Sequence, residues 1–174
     1  EGSGSNDTLT GNAGKNTIYG LAGDDTLNGF AGDDYLEGGL GNDTYLFGRG
    51  SGSDTIVNNT DDYATAVDTV EFGAGVAADD LVLFKEGYDL RINIRGTDDS
   101  LVIRNWFSGD VYKVDQFRFA DSSLLTATEM EALGVTAYAS LNSGVNGTDG
   151  NDKIYGSGDY SGSVYDIKYN GGAG

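Results

Sequence analysis

In the first third of the chain, large apolar side chains recur with a period that suits neither a helix nor an alternating strand. They fall at Leu9, Ile18, Leu27, Leu36, Tyr45 and Ile56, nine residues apart except for two extra residues before the last. Aligned on that position, the units read GSGSNDTLT, GNAGKNTIY, GLAGDDTLN, GFAGDDYLE and GGLGNDTYL from Gly2 to Leu46, then RGSGSDTIV from Arg49 to Val57. The apolar residue is the eighth of nine slots, and the sixth holds Asp7, Asn16, Asp25, Asp34, Asp43 and Asp54. Slots one to four are glycine-rich, so the backbone can turn sharply there. Slots seven to nine are short and β-prone, with Thr at most seventh slots. Each unit is therefore a tight turn plus a strand of about three residues, which cannot bury its apolar side chain without stacked neighbours.

Two units make one coil of a flattened parallel roll, so unit n lies against unit n+2. That register sets Asp7 under Asp25, Asp25 under Asp43, Asn16 under Asp34, and Asp34 under Asp54. Carboxylates stacked one strand spacing apart (~4.8 Å) repel unless something positive lies between them. Lys15 and Arg49, the basic residues of this stretch, are not placed to pair every stack. Ca²⁺ takes six to eight oxygen ligands and suits carboxylates beside turn carbonyls, whereas Mg²⁺ demands a stricter octahedron. Composition alone would also fit a flexible linker, but a linker has no reason to hold an apolar residue in register.

Beyond Val57 the pattern changes. Asn58–Tyr63 (NNTDDY) is a polar break, followed by a run of strand signals. Val67, Val70 and Phe72 are the apolar positions of AVDTVEF; LVLF at Leu81–Phe84 precedes YDLRINI, with Leu90, Ile92 and Ile94 on one face. After the turn Gly96–Ser100, Leu101–Phe107 reads as a strand, and Val111–Ala120 as another with Val114, Phe117 and Phe119 inward. One helix is predicted over 127–133, with Thr126 as N-cap, Glu129 as its capping-box partner and Gly134 as the stop. The nonapeptide returns at Gly147–Tyr155 (GTDGNDKIY) and then loses its register.

The first units resemble the GGxGxDxUx nonapeptides of RTX (repeats-in-toxin) proteins, a calcium-binding β-helix repeat. The segments TYLFGRGSGSDTI, DTVEF, DLVLF, LVIRNWF and VDQFRFAD, over about 44–126, resemble the haemolysin-type calcium-binding-related domain that follows such repeats. The resemblance implies an all-β fold: a parallel β-roll over 1–57, an antiparallel β cap over 58–135, a connector over 136–146, and a partial second repeat block over 147–174. It implies that carbonyls of slots one and three and the sixth carboxylate of one turn face slots two, four and six of the next. One ion would then lie among Gly20, Ala22, Asp25, Gly39, Gly41 and Asp43. A second falls to Gly2, Gly4, Asp7, Leu21, Gly23 and Asp25, and a third to Gly29, Ala31, Asp34, Gly50, Gly52 and Asp54. A fourth, among Gly11, Ala13, Asn16, Phe30, Gly32 and Asp34, has an amide in place of a carboxylate and is expected to be weaker. Gly147, Asp149 and Asp152, with Gly172 and Gly174, would form a site one carboxylate short. In all, the resemblance implies about three to five Ca²⁺ ions.

The net charge is −18, from 28 acidic and 10 basic residues, so nucleic acid and anionic membrane surfaces are poor partners. There is no Cys and no His, which excludes disulfides, thiolate zinc sites and histidine-based triads. No apolar run is long enough for a membrane span, and no signal-peptide pattern opens the chain. It reads as a segment of a longer protein. The acidic residues fall in turns or in metal slots rather than apolar strand centres, so no catalytic residue and no enzyme activity is expected. The family resemblance implies a secreted, extracellular or cell-surface module exported by type I secretion machinery and folded by external calcium. The alternatives are a glycan- or protein-binding adhesin module, with Tyr88, Trp106, Phe107 and Tyr112 as a candidate platform, or a non-catalytic part of a polysaccharide-acting enzyme. Trp106 and Phe107 read better as core.

Overall fold

The computed structural model describes residues 1–58, 66–139 and 153–156. The repeat region forms β1 (Thr8–Thr10), β2 (Thr17–Ala22), β3 (Thr26–Asn28), β4 (Tyr35–Leu40), β5 (Thr44–Phe47) and β6 (Ser53–Val57). Odd strands pair in parallel in one sheet and even strands in the other, in the order expected of two units per coil. The register is the one read from the sequence: Thr8 pairs with Thr26, Thr26 with Thr44, Thr17 with Tyr35 and Tyr35 with Thr55.

Because side chains alternate along a strand, slot eight faces inward while slots seven and nine face outward. Ile18, Leu27, Leu36, Tyr45 and Ile56 are buried between the two sheets. From the second coil on, slots two and four take positive φ: Gly39 and Gly50, and Gly23, Gly32, Gly41 and Gly52, do so, but so do Leu21 (φ 83°) and Phe30 (φ 68°), whose side chains stand exposed. At Gly39 and Gly41 an added Cβ would strike backbone of the turn beneath, so these coils stack too closely for any side chain.

The cap continues the roll before it departs from it. It holds β7 (Thr69–Phe72), β8 (Leu81–Glu86), β9 (Asp89–Ile94), β10 (Ser100–Ile103), β11 (Gln116–Arg118), β12 (Leu124–Thr126) and α1 (Ala127–Ala132), and β13 (Thr136–Ala139) follows it. β7 pairs in parallel with β5, β11 with β7, and β10 with β6, so each sheet gains parallel rungs. Antiparallel pairing follows outside them, as β10–β9–β8 in one sheet and β11–β12 in the other. The sequence reading expected antiparallel strands from the start. The difference arises because the inward column runs on without a break. In one sheet it reads Leu9, Leu27, Tyr45, Val70, Phe117 and Leu125; in the other Ile18, Leu36, Ile56, Ile103 and Leu90.

Several cap segments are shorter than the sequence pattern suggests. The Leu101–Phe107 strand stops at Ile103, because Asn105 turns into the left-handed region (φ 56°) and Trp106–Ser108 forms a 3₁₀ turn. The Asn105 N–H donates to Asp89 Oδ1 at 2.8 Å, fixing that corner. Val111–Ala120 yields a strand only over Gln116–Arg118, though Val114, Phe117 and Phe119 are all buried as expected. Val67 is exposed, unlike Val70 and Phe72. The helix carries the expected capping box, with Glu129 Oε2 accepting the Thr126 N–H at 2.8 Å, and Gly134 (φ 85°) follows its end.

Trp106 is fully buried, its Nε1 donating to Glu131 Oε1 at 2.7 Å, with its ring against Phe117 at 5.8 Å. Past the helix, β13 pairs in parallel with β14 (Lys153–Gly156), the strand of the returning nonapeptide. The break expected at Asn58–Tyr63 lies outside the described residues, apart from Asn58.

Candidate metal centre

Slot six is where the stacked turns meet. The backbone N–H of Asp7 donates to Asp25 Oδ1 (2.8 Å), that of Asp25 to Asp43 Oδ1 (2.9 Å), that of Asn16 to Asp34 Oδ1 (2.7 Å) and that of Asp34 to Asp54 Oδ1 (3.0 Å). One carboxylate oxygen therefore ties each turn to the one before it. The other points back into its own turn: a Cβ at Gly20 would meet Asp25 Oδ2, and one at Gly29 would meet Asp34 Oδ2. Slot one must be glycine wherever the carboxylate occupies that space.

Asp25, Asp34, Asp43 and Asp54 are all buried. Asp25 Oδ2 and Asp34 Oδ2 are sealed from solvent and accept no hydrogen bond. A buried carboxylate oxygen without a donor is costly, and pairing with a cation is the usual remedy. The proton affinities report the same cost. Burial first, and then neighbouring carboxylates, push Asp54 up to about 7 and Asp25 above its ordinary value, against the lowering effect of their backbone donors.

Among the described residues no three acidic side chains converge on one point, so any ion here would draw most of its ligands from main-chain carbonyls. Hard, oxygen-only ligation of that kind suits Ca²⁺. In the turns that carry these residues, Leu21 lies opposite Gly39, Ala22 opposite Leu40 and Gly32 opposite Gly52. At the edge of the stack Asp7 is half-buried and Asn16 presents an amide, whose Oδ1 accepts the Asn12 N–H at 2.7 Å. The C-terminal set of Gly147, Asp149, Asp152, Gly172 and Gly174 lies outside the described residues.

The slot-six ladder extends further than the repeats. The Asp43 N–H donates to Asp68 Oδ1 and that of Asp68 to Asp115 Oδ2, each at 2.8 Å. Sequence reading missed both residues, yet Asp68-Thr69-Val70 and Asp115-Gln116-Phe117 repeat the acid–x–apolar triplet of the nonapeptide. The triplet misleads at Asp99-Ser100-Leu101: there Ser100 pairs with Ser53, two positions out of step. Asp99 instead accepts the N–H groups of Gly50 (2.9 Å) and Gly52 (2.8 Å), which hold its carboxyl below the ordinary value despite burial. Arg49, replacing the slot-one glycine, reaches Gly75 O at 2.9 Å and Arg95 O at 3.1 Å, joining the last turn to the cap.

A flattened parallel roll with a ladder of buried carboxylates between its turns defines a class of acidic repeat domains. Comparison with known families agrees: the RTX calcium-binding nonapeptide repeat matches in four copies, at residues 1–29, 10–45, 31–56 and 145–159. The Haemolysin-type calcium binding protein related domain matches residues 89–129. The chain is thus built of RTX calcium-binding repeats joined to a haemolysin-type calcium-binding-related domain. It is 36% identical over 116 residues to the Iron-regulated protein FrpA of Neisseria meningitidis serogroup C, covering 64% of this chain and 9% of that protein. The chain therefore spans about a tenth of that relative's length. The solution structure of the AlgE6R3 subunit from the Azotobacter vinelandii Mannuronan C5-epimerase matches at 22% identity, covering 71% of this chain and 83% of that one. Its TM-score is 0.25.

Proposed function

We propose that the chain is a calcium-dependent folding module of a larger exported protein: a roll over 1–57, a cap over 58–135, a connector over 136–146, and the start of a second repeat block over 147–174. The observation that carries this reading is the pair of donor-less buried oxygens, Asp25 Oδ2 and Asp34 Oδ2, inside closely stacked turns. Bound Ca²⁺ would supply the positive charge that lets these carboxylates sit ionised away from water. The chain's part is to present them with the carbonyls of slots one to four from two adjacent turns. The bound ions are Ca²⁺ in the sets built on Asp7/Asp25, Asp25/Asp43 and Asp34/Asp54, with the Asn16/Asp34 set weaker. In low calcium the acidic turns repel and the chain stays open, which suits passage through a type I exporter; calcium outside the cell closes the roll. Metal bound only to the folded form stabilises it by mass action.

Circular dichroism tests this. Millimolar Ca²⁺ is expected to convert a largely open chain to β structure, Mg²⁺ to do far less, and a chelator to reverse the change. An unchanged spectrum and melting point in chelator would refute the proposal.

The alternative of an aromatic binding platform loses its central residue, because Trp106 is fully buried and pinned by Glu131. Tyr88 remains exposed, and Phe107 is half-buried with Lys85 Nζ 4.5 Å over its ring. With Tyr112, which is half-buried, these three residues do not favour a ligand.

A further inference from the structure

We infer that Asn6, Asp24 and Asn42, at slot five, are positioning residues: they form a metal-independent ladder that keeps main-chain carbonyls available to calcium along one edge of the roll. This rests on the calcium reading above.

The turns lie along two edges. On the edge formed by 2–7, 20–25 and 38–43, the Asp24 N–H donates to Asn6 Oδ1 at 2.9 Å. Asn42 donates to Asp24 Oδ1 from both N (2.9 Å) and Nδ2 (2.8 Å), and the Val67 N–H donates to Asn42 Oδ1 at 2.8 Å. Each slot-five oxygen thus reaches the following turn, whereas each slot-six oxygen reaches the preceding one. Two links of opposite sense fix both the spacing and the tilt of adjacent turns.

On the other edge slot five holds Lys15, Asp33 and Ser53. A lysine has no acceptor, and among the described residues the exposed Asp33 side chain accepts no hydrogen bond. There the Ser53 N–H takes the Gly32 carbonyl instead, at 3.0 Å. Gly32 is a slot-four residue whose carbonyl the calcium reading needs. Its counterpart Gly23 is spared, because the Asn42 N–H goes to the Asp24 side chain. Slot five on the first edge therefore acts as a substitute acceptor, leaving the slot-four carbonyl for the ion.

The requirement is for an acceptor oxygen, not a charge, and three variants separate the two. In a calcium titration followed by circular dichroism, Asp24→Ala is expected to raise the folding midpoint by about two- to tenfold, the effect of one or two lost hydrogen bonds. Asp24→Asn, which keeps the oxygen, and Asp33→Ala, which removes the same charge from the other edge, are each expected to stay within about twofold. Should Asp24→Ala not fold at any calcium concentration while Asp24→Asn does, the ladder stands. An equal shift in Asp24→Asn and Asp24→Ala, or in Asp33→Ala and Asp24→Ala, overturns it. A wild type indifferent to calcium would sink the calcium reading alone. The ladder is then read from amide exchange at Asn42, expected faster in Asp24→Ala and unchanged in Asp24→Asn; equal exchange in all three overturns it.

Discussion

Each slot-six aspartate has two oxygens with different tasks, and neighbouring aspartates are not equivalent. Asp25 is buried, accepts from the turn before and donates to the turn after; Asp7 is half-buried, and its Oδ2 accepts from Ser3 N (2.6 Å) and Ser3 Oγ (2.8 Å). Asp25→Ala is therefore expected to raise the calcium midpoint more than Asp7→Ala, and equal shifts in a titration would contradict the ladder. Acid should act on the same groups. Asp54 is raised from 3.8 to about 7 in the folded chain, so the metal-free fold binds a proton that the unfolded chain does not hold between these values. Stability of the metal-free form is then present at low pH and lost as pH rises through about 7. In chelator, lowering pH from about 8 to about 5 should increase β signal, while apparent calcium affinity falls because proton and metal compete. A third expectation concerns backbone: Leu21 holds φ 83° with its side chain exposed, so Leu21→Gly should raise the calcium-loaded melting point, by about 1 kcal/mol of relieved strain.

At the scale of elements, the roll was legible because one rule generates every turn and strand. A nine-residue period with a fixed apolar slot determines direction, pairing and register together, and Thr8↔Thr26 and Tyr35↔Thr55 follow from counting. The cap was less legible because its parallel rungs come from distant segments. β7, β10 and β11 dock on β5, β6 and β7 across long connections that no local period announces. Asp99 shows the limit clearly: its triplet matches the repeat, but the free N–H groups of Gly50 and Gly52 draw it two residues out of step. The helix was legible from Thr126, Glu129 and Gly134, whereas the task of Glu131 was not, since it depends on Trp106 arriving from another segment. Glu131→Leu is expected to destabilise the cap by about 1–3 kcal/mol by stranding the buried indole N–H. Thermal melting in saturating calcium would register it.

For the molecule as a whole, the two apolar columns run from the first coil through the cap without interruption, so roll and cap share one core. Among the described residues no helix is long and apolar enough to cross a membrane. The shared core means that calcium held in the roll should also protect cap residues such as Phe117 and Trp106, and tryptophan fluorescence should follow the same calcium titration as the β signal. A separate transition for the cap would show two independent units. One geometric property also governs how the assembly answers to force. Successive rungs of one sheet within the roll are 18 residues apart in the chain, as between Asp7 and Asp25, and 20 at the last, between Asp34 and Asp54. Tension on the N-terminal end would peel coils away singly, each releasing about 60 Å of slack at roughly 3.4 Å per residue. Pulled from that end in calcium, the molecule should behave as a ratchet with regular teeth, yielding its cap last.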